Sequence, residues 1–283
     1  MGRLARPSVI ASLLEQRGIG LSRRLGQHFL VDGNVLRRIV ETAGLTRDDQ
    51  VLEIGPGAGT LTEELLRRAG GVWAVEQDRR LCELLRETLG GEPGLTLLCR
   101  DALRLDFAAE LPAGPVKMVS NLPYNVATAV LLKALRELPG LHTLVVLVQR
   151  ELADRYLASP GTRSYGVPTL KLGYYCRVDR VMQVPPTVFL PPPRVESTLL
   201  RMERREEDRM PPQDAEGLFR LIDAAFSQRR KTLMNALSSL PGKGRGRERM
   251  VGLLRDLGLP ADVRPERLTL QDYIRIYLGL RDD

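Results

Sequence analysis

Histidine, cysteine and long apolar runs are what this 283-residue chain has least of, and each scarcity closes off a class of chemistry. His28 and His142 are the only histidines, which argues against catalysis by a histidine cluster and against a polyhistidine metal site. Cys82, Cys99 and Cys176 lie far apart with no C-x-x-C spacing. That suits neither a zinc site nor a disulfide framework and reads as reduced thiols in a cytosolic protein. No bound metal is expected. The longest apolar stretch, around Leu144 to Val148, has the length of a buried strand, far short of the roughly 20 residues that span a bilayer.

What the chain does have is positive charge: 42 Lys and Arg against 35 Asp and Glu, a net +7 and a pI near 9.6. This favours an acidic partner such as nucleic acid, although many basic proteins bind no polyanion. Residues 1–24 concentrate the excess, with Arg3, Arg6, Arg17, Arg23 and Arg24 against Glu15. They lack the apolar segment of a secretory signal and read as a basic arm lying on RNA or as an organellar presequence.

Short β-type runs alternate with helical stretches. Val51–Ile54, Val72–Val75, Leu95–Cys99, Val116–Ser120 and Leu144–Gln149 read as strands. The stretches 61–68, 79–88 and 126–138 read as helices between them. That order predicts an α/β fold, a mostly parallel doubly wound sheet of Rossmann type. Lys171–Val178 and Ser197–Met202, separated by the proline-rich stretch Pro185–Pro193, suit an antiparallel hairpin closing one sheet edge. The polar segment Glu203–Asp214 marks a domain boundary, and helices at 215–226, 231–240, 249–257 and 270–280 follow it. The expected division is an arm at 1–24, a domain at 25–205 and a small all-α domain at 206–283.

Glu53-Ile-Gly-Pro-Gly-Ala-Gly59 sits between a strand and a helix. Gly55, Gly57 and Gly59 let the backbone turn sharply and approach a ligand where a Cβ would intrude; a purely structural turn is the alternative. The spacing is not the G-x-G-x-x-G that cradles a dinucleotide pyrophosphate. Glu76 ends the next strand, where a carboxylate can accept both hydroxyls of a ribose. Asp101-Ala102 ends the third, where an acceptor can meet the exocyclic amine of adenine. Each acid could instead cap a helix. Three such features at successive strand ends nonetheless mark the carboxyl edge where ligands bind in this architecture. The pattern points to an adenosyl cofactor, and S-adenosylmethionine over NAD because nothing here calls for phosphate.

Ser120-Asn-Leu-Pro-Tyr124 follows the fourth strand. It can be a simple turn. Its chemical reading is a site for adenine N6, a poor nucleophile whose lone pair is conjugated with the ring. The Asn121 side-chain oxygen and the Leu122 carbonyl can accept the two N6 protons, Pro123 fixes the backbone, and Tyr124 can stack on the base. Positive charge develops on N6 during methyl transfer, so oriented acceptors do the stabilising and no strong general base is needed. The base must be flipped out to reach such a pocket.

On these residues the chain resembles the ribosomal RNA adenine dimethyltransferases of the KsgA type, over about residues 23–280. The resemblance includes Gly26-Gln-His-Phe-Leu30, the glycine motif, Glu76, Asp101-Ala102, Asn121-Leu-Pro-Tyr124, Gln149-Arg-Glu151 and Tyr165-Gly166. Val184 to Pro193 and Phe226-Ser-Gln-Arg-Arg-Lys231 complete it. It implies a methyltransferase domain with a helical C-terminal domain that binds RNA or the ribosome. The implied substrate is two adjacent adenosines near the 3′ end of 16S RNA in an immature small subunit. Carried over by motif, Gln27, His28, Leu30, Gly55, Gly57, Glu76, Asp101, Ala102 and Asn121 hold the cofactor, and Phe189 forms the second face of a stacking sandwich with Tyr124. His28 departs from the family, which usually has Asn there; a side-chain role at that position would make cofactor affinity pH-dependent.

From Arg220 to Arg249 eight bases face two acids. Arg229, Arg230, Lys231, Lys243, Arg245 and Arg247 are the candidate RNA contacts, with a solvated helix face as the alternative. Phe226, Leu233 and Leu237 repeat at helical spacing and read as core. A monomer is expected. The rival functions are a methyltransferase for large-subunit RNA and a ribosome-assembly factor whose binding, not catalysis, matters.

Overall fold

The structure of the protein, a computed structural model, describes residues 2–19, 28–111, 114–123, 125–205, 212–228, 231–237 and 246–281, with the side chains at 212, 213 and 246–248 excepted. The chain forms two compact units, Met1–Ala153 with Val178–Arg204, and Asp154–Arg177 with Arg205–Asp283.

The first unit begins with a 3-10 turn, Arg3–Ala5, and helix α1, Pro7–Gln16. Strand β1, Phe29–Leu30, and helix α2, Gly33–Ala43, come next. Asp32 caps α2, its carboxylate accepting from the Asn34 and Val35 N–H groups, and left-handed Gly44 ends it. The alternating run then unfolds as β2 Gln50–Ile54, α3 Thr60–Leu66, β3 Gly71–Glu76, α4 Arg79–Leu89, β4 Leu95–Cys99 and the short α5 Phe107–Glu110. β5 Lys117–Asn121, α6 Ala127–Glu137 and β6 Thr143–Gln149 follow. After α7, Arg150–Tyr156, and α8, Val167–Tyr175, the chain adds β7 Cys176–Val184, β8 Phe189–Leu190 and β9 Ser197–Arg204.

Seven strands form one sheet in the order β4-β3-β2-β5-β6-β9-β7. β4, β3, β2, β5 and β6 are mutually parallel, and β9 runs antiparallel to β6. This is the expected α/β fold. Valines and leucines on the strands pack against α2 and α3 in one apolar cluster that includes Leu36, Ile39, Val51, Leu65, Val119 and Val145.

Several expectations change. Lys171–Tyr175 is helical in α8, not strand: Pro168 starts that helix and the edge strand begins only at Cys176. Residues 2–19 are not a free arm. Leu4, Ile10, Leu14 and Ile19 are buried against Leu81, Leu84, Leu85 and Leu89 of α4. The Arg3 and Leu4 N–H groups donate to the Glu63 carboxylate at 2.8 Å. The apolar residues of α1 recur on one helical face, and burying that face outweighs the basic character of the segment. Cys82 and Cys99, expected as separate thiols, meet between α4 and β4 at a Cα–Cα distance of 6.1 Å and form a disulfide. Cys176 is buried and lies outside that disulfide.

The second unit is helical, with α9 Pro212–Ser227, α10 Leu233–Leu237, α11 Gly246–Asp256 and α12 Leu270–Arg281 joining α8. The segment 154–177 belongs with these helices, so a single boundary near residue 205 does not describe the two units. Leu218, Ile222, Leu233, Leu237, Leu254 and Ile276 are buried in it. The Tyr165 hydroxyl donates to the Leu268 carbonyl at 2.8 Å and the Tyr273 hydroxyl to that of Pro265 at 3.0 Å. No described helix is long and apolar enough to cross a membrane.

If residues 2–19 are part of the core, Ile10→Ala and Leu14→Ala each destabilise the protein by about 2–4 kcal/mol, the cost of emptying a packed apolar site. Urea denaturation checks this; an unchanged midpoint would mark the segment as a dispensable arm.

Candidate cofactor and adenine site

The carboxyl ends of β4, β3, β2 and β5 open onto a cavity of about 330 Å³. Its wall includes His28, Leu30, Gly55, Gly57, Glu76, Asp101, Ala102, Asn121, Leu122 and Pro123, which the sequence singled out. A ligand held there touches loops that the parallel strands bring side by side.

The loop after β2 turns at Gly55 and Gly57, with φ near 70° and 60°. At Gly57 a Cβ would stand 3.0 Å from the Phe29 ring, so a side chain is excluded twice, by backbone conformation and by space. Gly59 plays another part. A Cβ there would stand 2.8 Å from Leu85 Cδ2, so this glycine lets α3 and α4 pack closely and does not line the cavity.

Glu76, 6% exposed, ends β3. Its carboxylate accepts from the Gly57 N–H at 3.1 Å, the Gln77 N–H at 2.9 Å and the Asp78 N–H at 3.0 Å. Burial raises this carboxyl above the usual range, and the three N–H donors oppose the rise by favouring the charged form. They also orient the carboxylate. Asp101, just past β4, accepts from the Leu103 N–H at 2.9 Å and stands 3.7 Å from Arg104.

Asn121 ends β5 with its amide nitrogen donating to the His28 carbonyl at 3.1 Å. That commitment leaves the amide oxygen as an acceptor. His28 is held from the other side by a 2.7 Å hydrogen bond between Nδ1 and the Pro191 carbonyl oxygen, so Nδ1 is the donor. Position 28 is thus held through both its backbone and its ring.

Two aromatic expectations fare differently. Tyr124 lies outside the described residues, as do Gln27, Arg229, Arg230, Lys243 and Arg245. Phe189 is 2% exposed and packs in the apolar core with Leu30; it does not line the cavity. The cause is β8, whose antiparallel pairing with β1 sets Phe189 opposite Leu30. Of the basic stretch, Lys231 is exposed, and Arg249 donates to the Gly279 carbonyl at the end of α12. The side chain of Arg247, in α11, is among those not described.

Glu53 is the wall residue that motif reading quoted without assigning a role. It is 1% exposed, and its Oε2 has no hydrogen-bond partner among the described residues. Burial pushes its carboxyl up to about 8; the Thr62 hydroxyl lowers it and the nearby Glu76 raises it further. An acid one residue before the end of a central strand is the signal that could have found it.

The unfolded chain releases this proton near the ordinary value of 4.5 and the folded chain near 8, so the folded state binds more protons in between. Stability of the cofactor-free protein therefore falls as pH rises through that window. Thermal denaturation across the window will show a smaller loss for Glu53→Gln than for the parent; parallel curves would refute the assignment.

Residues 20–257 match the family model described as ribosomal RNA adenine dimethylase. A protein from Nocardia farcinica named ribosomal RNA small subunit methyltransferase A is 46% identical over 277 residues, 95% of this chain and 93% of the relative. One of the same name from Magnetococcus marinus is 39% identical, over 94% of each chain. Among solved structures, a dimethyladenosine transferase from Plasmodium falciparum shares the fold with a TM-score of 0.76 at 24% identity, over 89% of this chain and 97% of that one. The 23S rRNA methyltransferase ErmE aligns with a TM-score of 0.65 at 29% identity, over 89% and 99%. A cavity at the carboxyl edge of a doubly wound sheet, walled by these motifs and matched along nearly the whole chain, leaves no doubt about lineage: this protein belongs to the ribosomal RNA adenine dimethylase family.

Proposed function

We propose that this enzyme dimethylates N6 of two adjacent adenosines near the 3′ end of 16S RNA in the immature small ribosomal subunit, using S-adenosylmethionine. The observation that carries the reading is Asn121. Its amide nitrogen is committed to the His28 carbonyl, which leaves its oxygen as an acceptor on a residue that lines a cavity with Glu76 and Asp101. The residues fit an adenosyl cofactor. Gly57 leaves a cradle that a Cβ would fill, Glu76 offers an oriented carboxylate for ribose hydroxyls, and Asp101 offers an acceptor for the adenine amine.

When bound, the cofactor supplies an electrophilic methyl group on a sulfonium. The protein's task is to present the nucleophile. The Asn121 oxygen and the Leu122 carbonyl accept the N6 protons and hold the amine in a more pyramidal geometry, Pro123 fixes that backbone, and Tyr124 stacks on the flipped base. Charge that grows on nitrogen meets fixed acceptors that need no reorganisation. Deprotonation follows easily once the amine is alkylated.

Small-subunit RNA is favoured over large-subunit RNA because the small-subunit relatives share 46% and 39% identity with this chain, against 29% for the 23S enzyme. The second unit, with exposed Lys231 and the basic residues around it, is the proposed RNA and ribosome contact. A monomer acting in the cytoplasm is the simplest setting.

Methyl transfer from labelled S-adenosylmethionine to undermodified small subunits, with nucleoside mass analysis, tests the proposal. Dimethyladenosine is expected with the parent chain, and Asn121→Ala lowers its formation about a hundredfold or more, the loss typical of removing one transition-state partner. Product on large-subunit RNA alone would move the substrate. Binding to subunits without any methylation would favour an assembly factor. Subunit affinity should also fall with salt, by roughly 0.7 log unit per log salt for each single-strand phosphate neutralised.

A further inference from the structure

The sheet order β4-β3-β2-β5 sets four polar groups in a row across the cavity: Asp101 after β4, Glu76 on β3, Glu53 on β2 and Asn121 on β5. With adenine at Asp101, ribose at Glu76 and the methyl directed to Asn121, the methionyl end of the cofactor lies over β2, beside Glu53. This placement rests on the proposed cofactor. It brings the cofactor's α-ammonium to a carboxyl group that is buried and has an oxygen unpartnered among the described residues.

We infer that Glu53 is a neutral acid in the cofactor-free site and gives up its proton when the cofactor's α-ammonium arrives, so that cofactor binding and proton release are one event. The O–H bond breaks, the electron pair stays on the carboxylate, and the proton leaves to solvent. The new ion pair replaces an uncompensated buried group with a paired one.

The surroundings explain why the proton stays on Glu53 until then. Glu76 on β3 is the charged group close enough to act on it, and it opposes a second negative charge. The Thr62 hydroxyl on α3 and the neutral Ser120 and Asn121 on β5 supply no cation. Ser120 Oγ is taken up by the Ile54 N–H at 2.9 Å. Asp78 and Asp101 add further acids to the wall. Arg100 is the wall's basic side chain among the described residues, exposed and turned toward Glu110 at 3.8 Å. His28 lines the same cavity, so its contribution needs a separate control. Burial pushes the Glu53 carboxyl up to about 8, consistent with this geometry.

Isothermal titration calorimetry of the full-length protein near pH 6.5, in buffers of different ionisation enthalpy, counts the protons. S-adenosylmethionine keeps its α-ammonium at that pH, since α-amino groups titrate near 7.7–8.0. Close to one proton is expected to leave per cofactor bound, and affinity is expected to rise toward tenfold per pH unit between about pH 6 and 7. Methylthioadenosine, which has the adenosine end and no amino acid, is expected to bind with little or no proton release. Glu53→Gln should abolish the release, and His28→Asn should leave it intact. Tight binding of S-adenosylmethionine with no proton exchange would overturn the inference while leaving the cofactor assignment standing. Equal release with methylthioadenosine, or release that persists in Glu53→Gln, would also overturn it. Absence of any binding heat or competition with S-adenosylmethionine would remove both.

Discussion

The register of β2 between β3 and β5 is the constraint on which the site depends. Ile54 pairs with Val75 on one side and Leu52 with Met118 on the other, so three parallel strands end at nearly the same level. Each strand then leaves the sheet at that level, and the loop residues 55–57, 76–78 and 121–123 converge on one cavity. A slip of one residue in β2 would turn Val51 and Glu53 together to the other face of the sheet and remove the acid from the wall. Packing of β2 against the apolar faces of α2 and α3 makes such a slip prohibitive.

The same edge concentrates acids. Glu53, Glu76, Asp78 and Asp101 surround a space walled by few cations, although the chain as a whole is basic. A ligand carrying positive charge relieves that repulsion, whereas a phosphate would add to it. Global charge and local charge therefore serve two partners: the basic surface suits a polyanion, and the acidic cavity suits a cationic cofactor. Glu76 tolerates its burial because three N–H groups point at it; Glu53 has no such set and remains protonated instead.

Most strands and the helices between them were legible because their signals are local. The short β-type runs, the helical stretches between them and the glycine turn after β2 each act within a few residues. Asn121 and Glu76 were legible as strand-end polar residues followed by turn formers. Lys171–Tyr175 was not, since a short run of apolar and aromatic residues is compatible with either period and only Pro168 and the neighbouring helices select the helix. That Phe189 is buried was not legible, because its motif says nothing of the pairing of β8 with β1.

The sequence by itself determined the fold class, the glycine loop, the Asn121-Leu122-Pro123 segment and the family, because each rests on residue order and short-range conformational preference. Tertiary structure alone decided that residues 2–19 are core, that Cys82 meets Cys99, that 154–177 joins the C-terminal helices, and that Glu53 is buried in the cavity wall. Those outcomes depend on which distant surfaces come together, and burial and charge are properties of that assembly, not of the residues taken one at a time.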